Sequence, residues 1–142
     1  MVFAAIIIGA VEGKSKEDLL SSGYTKEILG TLENYIFDQE IIDVALGSYK
    51  NKIRDEISSD GYVVNTLEAS LWAFYNSERF DEGLMLSVNL GFDADTVAAV
   101  YGQLAGAYYG VDMIGKEYKS DLMNAKLIKS VSLSLYELRL EK

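Results

Sequence analysis

The sequence predicts an all-α fold, a multi-helix orthogonal bundle forming a single domain over residues 1–142, and three observations carry that expectation. Apolar residues recur at helical spacing along most of the chain. No stretch alternates apolar and polar residues as a half-buried strand would. Proline is absent from all 142 residues, where ordinary usage of about 5% would supply several. Helices joined by glycine-containing breaks satisfy all three, and neither an internal repeat nor a low-complexity linker divides the chain.

Taken in order, Met1–Val11 (MVFAAIIIGAV) is apolar on every side, the pattern of a helix buried all round. Ser15 before Lys16-Glu17-Asp18-Leu19-Leu20 has the type and place of an N-cap, and Gly23 is expected to end that short helix. From Lys26, residues Ile28, Leu29, Leu32, Ile36 and Phe37 keep a helical period. Ile41, Ile42, Ala45, Leu46, Tyr49, Ile53 and Ile57 prolong it, with a separate start near Asp38. Ser58-Ser59-Asp60-Gly61 is a break. Leu67, Leu71, Trp72 and Phe74 mark a helix to about Tyr75, and Asn76-Ser77 interrupts it. Phe80–Leu90 follows, with Gly91 in the position of a C-terminal glycine. Val97–Tyr109 carries Val97, Val100, Tyr101, Leu104 and Tyr108 on one side. Gly102, Ala105 and Gly106 lie among them, suggesting close helix packing. Asp112 is placed to cap a short turn. From about Asp121 to Leu138 an amphipathic helix carries Leu122, Leu127, Ile128, Val131, Leu135 and Leu138.

Composition removes several chemistries. Cysteine and histidine are both absent, which excludes disulfides, zinc-thiolate sites, a cysteine nucleophile and an imidazole base. Catalysis would have to run on carboxylates, hydroxyls, lysine or a metal held by oxygen. The net charge of −9 repels phosphate backbones, so nucleic acid is not an expected partner. The apolar run at the N-terminus is too short to span a bilayer and lacks the basic lead of a signal peptide. No membrane association is expected, and the expected location is cytoplasmic.

One stretch concentrates oxygen ligands: Asn89-Leu90-Gly91-Phe92-Asp93-Ala94-Asp95-Thr96. On a helix, residues two apart face nearly opposite directions, so Asp93 and Asp95 converge only in a loop. Gly91 closes one helix and Asp95 or Thr96 can cap the next, which puts the stretch at a helix N-terminus. There the macrodipole stabilises a carboxylate by roughly 0.3–1 kcal/mol, and free backbone N–H groups can receive a phosphate. Hard oxygen donors favour Mg²⁺, Mn²⁺ or Ca²⁺ over zinc. Three donors fall short of the six that Mg²⁺ takes. On the short motif alone, an aspartate N-cap with a solvated neighbour is the favoured explanation. An EF-hand is excluded, because Val97 and Ala98 already belong to the next apolar run.

The longer stretch from Gly61 to Gly110 resembles the C-terminal part of the ADP-ribosylglycohydrolase family. Three blocks carry the resemblance: Gly61-Tyr62-Val63 with Thr66-Leu67-Glu68-Ala69; Asn89-Leu90-Gly91-x-Asp93-x-Asp95-Thr96; and Gly102-Gln103-Leu104-Ala105-Gly106-Ala107-Tyr108-Tyr109-Gly110. Ala4–Leu20 is similar to a mid-chain segment of the family that contains Gly-Lys-Ser. The resemblance implies an all-α fold and metal-dependent hydrolysis of the glycosidic bond between ADP-ribose and a protein side chain. It further implies a pair of Mg²⁺ or Mn²⁺ ions, with Asp93, Asp95 and Thr96 as ligands. Gly61, Tyr62, Val63 and Gly91 are the substrate-binding positions it implies, with Tyr62 against the ligand, and ADP-ribose or an ADP-ribosylated protein as the partner.

The departures are equally specific. The Thr-Asp-Asp stretch that completes the family's metal site occurs nowhere in these residues, and no catalytic acid is identified. Phe92 stands where the family usually has glycine, so its ring is expected to crowd the site. Ala94 replaces a usual threonine, and Gly115 and Tyr118 replace a usual proline and tryptophan. The chain thus resembles the second half of the enzyme with half of the metal ligands absent, and these departures count against activity of the isolated half. Asp60, Glu68 and Asp112 are the acids that could move in. A surface that met another half should be apolar and exposed, with the first helix a candidate. A homo-oligomer, with or without exchanged helices, or a complementing chain is expected. The competing expectation is a non-catalytic helical binding module that keeps the fold.

Overall fold

The computed structural model describes residues 1–140. Nine α-helices make up most of them, with no strand among the described residues: α1 Val2–Val11, α2 Lys16–Leu19, α3 Ser22–Thr31, α4 Gln39–Leu46, α5 Val63–Tyr75, α6 Phe80–Val88, α7 Ala94–Tyr109, α8 Lys116–Ser120 and α9 Ala125–Leu140. Short 3₁₀ turns occupy Ser48–Asn51, Arg54–Glu56 and Val111–Met113. The all-α expectation holds.

Helix α5 is the axis of the bundle, packing against α4, α6 and α7, while α7 also meets α1. Its buried side chains run almost without interruption from Val64 to Phe74, as a helix enclosed on several sides requires. The polar residues among them are all answered. Ser70 Oγ reaches Thr66 O at 2.7 Å and Val97 O at 3.1 Å, tying α5 to α7. Glu68 takes Lys52 Nζ at 2.7 Å and Ser48 Oγ at 2.6 Å. Trp72 Nε1 donates to Lys52 O at 3.0 Å.

Several local expectations are corrected. Helix α1 buries only Val2, Ile6, Gly9 and Ala10, a single stripe, while Ile8 and Val11 lie on its open side. A run with no polar residue cannot show which side has neighbours. Gly23 does not end a helix but sits in the first turn of α3, because Ser21 caps that helix by accepting Tyr24 N–H at 3.1 Å. Ser15 caps α2 as expected, taking Asp18 N–H, and Asp38 caps α4 through Glu40 N–H at 3.1 Å. Helix α4 stops at Gly47, whose φ is +104°, so Tyr49, Ile53 and Ile57 belong to other segments. Gly102 and Gly106 face open space. The close approach is at Gly83, where the Tyr101 ring occupies the volume a Cβ would need. Asp112 lies inside a 3₁₀ turn whose cap is Gly110, and the last helix starts at Ala125, four residues late.

A cation joins three helix ends. Lys16, from α2, donates to Phe74 O at 3.0 Å, to Tyr109 Oη at 2.8 Å and to Ser77 O. Its ammonium lies 4.5 Å from the Phe74 ring centroid. The acceptors include the last-turn carbonyl of α5, where a cation also opposes the negative helix terminus. Burial holds the Lys16 ammonium below its ordinary pKa, against the pull of Glu78. Lys16→Ala removes charge-assisted hydrogen bonds that typically contribute about 1.5–3 kcal/mol. Urea unfolding should show a loss of that order, while Lys14→Ala, a residue exposed to solvent, should show little.

Burial raises the phenols of Tyr49 and Tyr101 and pushes Tyr109 up to about 12. Each phenol is raised above its unfolded value near 10, so its stabilisation is complete below that value and is lost as pH climbs toward the folded one. Helicity followed by circular dichroism should therefore fall above pH 10, together with the rise in tyrosinate absorbance.

Candidate functional site

Two loops meet at one end of α5 and α7. Asp93 N–H donates to Ser59 O at 2.9 Å, and Ser59 Oγ donates to Gly91 O at 3.0 Å. Ser59 is buried at 3% exposure, whereas its partners Gly91 and Asp93 lie nearer the surface. The Ser-Ser-Asp-Gly run identifies a break but not this pairing. The signal available in sequence is a small hydroxyl residue where a loop must satisfy its own backbone.

Asp60 organises the start of α5. Its Oδ1 accepts Tyr62 N–H at 3.0 Å and Asn65 Nδ2–H at 3.1 Å. The Tyr62 amide, then Asn65, hold this carboxyl below the usual range. Asn65 is a second residue sequence reasoning missed. Gly61 then turns with φ +86°, and a Cβ there would stand 3.2 Å from Asp93 Oδ2. The structure thus brings Gly61 and Asp93 together across 32 residues of chain.

The second loop carries two consecutive left-handed residues, Gly91 at φ +82° and Phe92 at φ +50°. A phenylalanine there is strained where a glycine would not be. The Phe92 ring is 95% exposed, so it turns out to solvent instead of crowding the aspartates. Helix α7 begins at Ala94 with Asp93 in the N-cap position, which corrects the expectation that Asp95 or Thr96 caps it. The Asp93 carboxylate makes no capping bond but accepts the Thr96 hydroxyl at 2.8 Å. Asp95 lies in the first helical turn and is exposed.

Asp93 is therefore hydrogen-bonded to Thr96 and lies beside Gly61, and Asp95 follows on the helix start. The donors are all hard oxygens, of the class that suits Mg²⁺ or Mn²⁺. Among the described residues, no three His, Cys, Asp or Glu side chains are gathered closely enough to hold an ion. Of the other acids considered, Glu68 is committed to Lys52 and Ser48. Asp112 lies beyond the far end of α7, about 24 Å away for a helix of this length.

Tyr62 and Val63 separate two hollows. Tyr62, about half exposed, donates its hydroxyl to Glu40 Oε2 at 3.2 Å, and the Glu40 charge raises the phenol pKa. Its side is a polar hollow of about 340 Å³ walled by Glu40, Asp43, Ser48, Lys52, Asn65 and Glu68. Val63, 71% exposed, lines an apolar groove of about 280 Å³ with Met1, Phe3, Phe37, Ile41 and Val100. Neither hollow includes Asp93, Asp95 or Thr96 in its walls. No helix among the described residues is long and apolar enough to cross a membrane.

The family model described as ADP-ribosylglycohydrolase matches residues 1–142. The chain is 44% identical over 96 residues to an ADP-ribosylarginine hydrolase of Serratia proteamaculans, covering 68% of this chain and 26% of that protein. It is 42% identical over 64 residues to the ADP-ribosyl-[dinitrogen reductase] glycohydrolase of Rhodospirillum rubrum, covering 45% of this chain and 22% of that one. A solved structure described as an ADP-ribosylglycohydrolase-related protein complex superposes with a TM-score of 0.80 at 38% identity, over 96% of this chain and 44% of that one. The match spans about a quarter of the length of these curated relatives and less than half of that structure.

Two substitutions test the loop pairing. Ser59→Ala removes the part-buried hydrogen bond to Gly91 O and should lower unfolding free energy by about 1 kcal/mol. Phe92→Gly relieves a left-handed side chain that packs on little, and should raise it by about 1 kcal/mol. Urea denaturation of both variants reads the opposite signs.

Proposed function

The chain belongs to the ADP-ribosylglycohydrolase family, and on that premise we propose that it supplies the metal-ligating and ligand-facing elements of a hydrolase that cleaves the glycosidic bond between ADP-ribose and a protein side chain. The observation that carries this reading is Asp93 at the start of α7, hydrogen-bonded to Thr96 and set beside Gly61. The Asp93 carboxylate at that start is not spent on capping the helix.

In this reading Asp93, Asp95 and Thr96 hold Mg²⁺ or Mn²⁺. Such an ion supplies charge stabilisation and a means to orient a ribose diol and water. The chain's own groups do the preparation. The positive end of α7 favours ionised carboxylates at its first turn. Thr96 fixes one oxygen of Asp93, leaving Oδ2 on the side of Gly61, where the absent Cβ keeps the approach open. Gly91 shapes the turn, and Tyr62 and Val63 present a half-exposed ring and an apolar face to a ligand. The polar hollow beside Tyr62 is wide enough to admit part of a sugar. The remaining oxygen ligands come from water and from protein groups outside these residues, for which a second copy or a complementing chain is one source. An ADP-ribosylated protein is the proposed substrate class, and an acidic surface of this kind disfavours nucleic acid.

The sparse acidic shell among the described residues favours a second reading as well, a helical module that binds ADP-ribose without hydrolysing it. Isothermal titration of Mg²⁺, Mn²⁺ and ADP-ribose separates the possibilities. The natural chain should give saturable metal heats that the Asp93→Ala, Asp95→Ala double variant loses. Equal heats from both proteins would remove the proposed metal loop. Metal and ADP-ribose binding with no release of ADP-ribose from an ADP-ribosylated protein would select the second reading.

A further inference from the structure

Asp60 fixes the main chain of Tyr62 by accepting its N–H at 3.0 Å, but that bond leaves both ring torsions free. The ring is about half exposed. A tyrosine held only through its backbone would sample several rotamers. Here the far end of the side chain is tied as well, because the hydroxyl donates to Glu40 Oε2 at 3.2 Å.

Glu40 is itself a fixed point. It lies in the first turn of α4, and its N–H donates to the capping Asp38 at 3.1 Å. That position favours an ionised carboxylate. Helix α4 packs on α5, with Val44 and Val64 both buried, so the two ends of the bond ride on joined helices. The other polar side chains of the hollow are engaged elsewhere. Asp43 takes Gln39 at 2.8 Å, Glu68 takes Ser48 and Lys52, and Asn65 binds Asp60. The Tyr62–Glu40 bond joins the two helix starts that wall the hollow.

An ionised carboxylate can only accept, so the phenol spends its proton on Glu40. Its oxygen is left as an acceptor toward anything that enters beside it. At 3.2 Å the bond is long for a hydroxyl donor, so it biases the ring without clamping it.

We propose that Glu40 is a positioning residue for ADP-ribose: its carboxylate holds the Tyr62 ring ready for the ligand and turns the phenol oxygen into an acceptor for a ligand hydroxyl. The proposal rests on the hydrolase-family reading of Tyr62. Ordering the ring beforehand removes part of the side-chain entropy that binding would otherwise lose. The charge of Glu40 acts in the opposite direction, because ADP-ribose carries an anionic diphosphate that a carboxylate repels. Positioning and simple charge therefore predict opposite signs when Glu40 is removed.

Tyrosine-ring carbon relaxation at neutral pH reads the ring without any ligand, the Tyr62 signal being the one that Tyr62→Phe removes. The ring should be ordered in the natural chain and in Glu40→Gln, whose amide oxygen still accepts, and mobile in Glu40→Ala. Isothermal titration of ADP-ribose in excess Mg²⁺ reads the consequence. Glu40→Ala should weaken binding roughly three- to tenfold, whereas Glu40→Gln should bind as tightly as the natural chain or more so. Tyr62→Phe should lose as much as Glu40→Ala, and the double variant should lose no more than either. Mg²⁺ heats should be unchanged in all of them. A Tyr62 ring as mobile in the natural chain as in Glu40→Ala, or ADP-ribose held as tightly by Glu40→Ala as by the natural chain, overturns the proposal and leaves the hydrolase reading standing. A natural chain that takes up no ADP-ribose overturns the proposal together with the ligand-facing role of Tyr62.

Discussion

The geometry of the candidate site rests on the two hydrogen bonds of Ser59. Its carbonyl receives Asp93 N–H and its hydroxyl reaches Gly91 O, so the loop before α5 and the loop before α7 are locked face to face. Ser59 itself is buried, which makes leaving its groups unpaired costly and holds the loops together. Every other feature of the site follows from this junction. Gly61 meets Asp93 because Ser59 holds the two strands of loop in register. Tyr62 and Val63 are aimed because Asp60 closes the first turn of α5 immediately after it.

The junction is supported from the far end of the same two helices. Lys16 collects the carbonyls that close α5 and the hydroxyl of Tyr109 at the end of α7, while Ser70 bonds across their middle. Helices α5 and α7 are thereby fastened at the start, the centre and the finish, with an apolar core of Leu71, Phe74, Tyr101 and Leu104 between. A site assembled at the N-termini of two helices so joined is held on rigid elements, and its loops need adjust little to accept a ligand.

What the sequence made legible followed rules that act over a few residues. The Ser15 cap, a helix start near Asp38, the Gly91 turn and the end of α5 near Tyr75 were all readable, because capping and helical period are local. Gly23 misled because an adjacent Ser21 cap outweighs a glycine in a first turn, where its cost is small. Gly102 and Gly106 misled because small residues permit close packing without compelling a neighbour to arrive. The approach occurs instead at Gly83, where Tyr101 must pass to donate to Phe80 O. Asp93 and Thr96 stood out as clustered oxygen donors, whereas Gly61 was readable as a candidate only through family resemblance. Their contact depends on Ser59, and no periodicity announces a bond spanning 34 residues.

The αL pair at 91 and 92 ties these levels together. Two successive positive φ values reverse the chain within one turn, so that α6 ends and α7 begins with Asp93 pointing back at Gly61. Glycine meets that demand at 91 without strain, whereas phenylalanine at 92 meets it against its own preference. The resemblance that places glycine at this position in the family therefore has a backbone reason that involves no ligand. Strain of this kind persists only where surrounding contacts over-determine the conformation, and the Ser59 bonds on either side of Phe92 do so. The exposed ring is then a consequence of the turn: a left-handed residue at this junction directs its side chain away from the aspartates, and the acidic face of the loop is left clear.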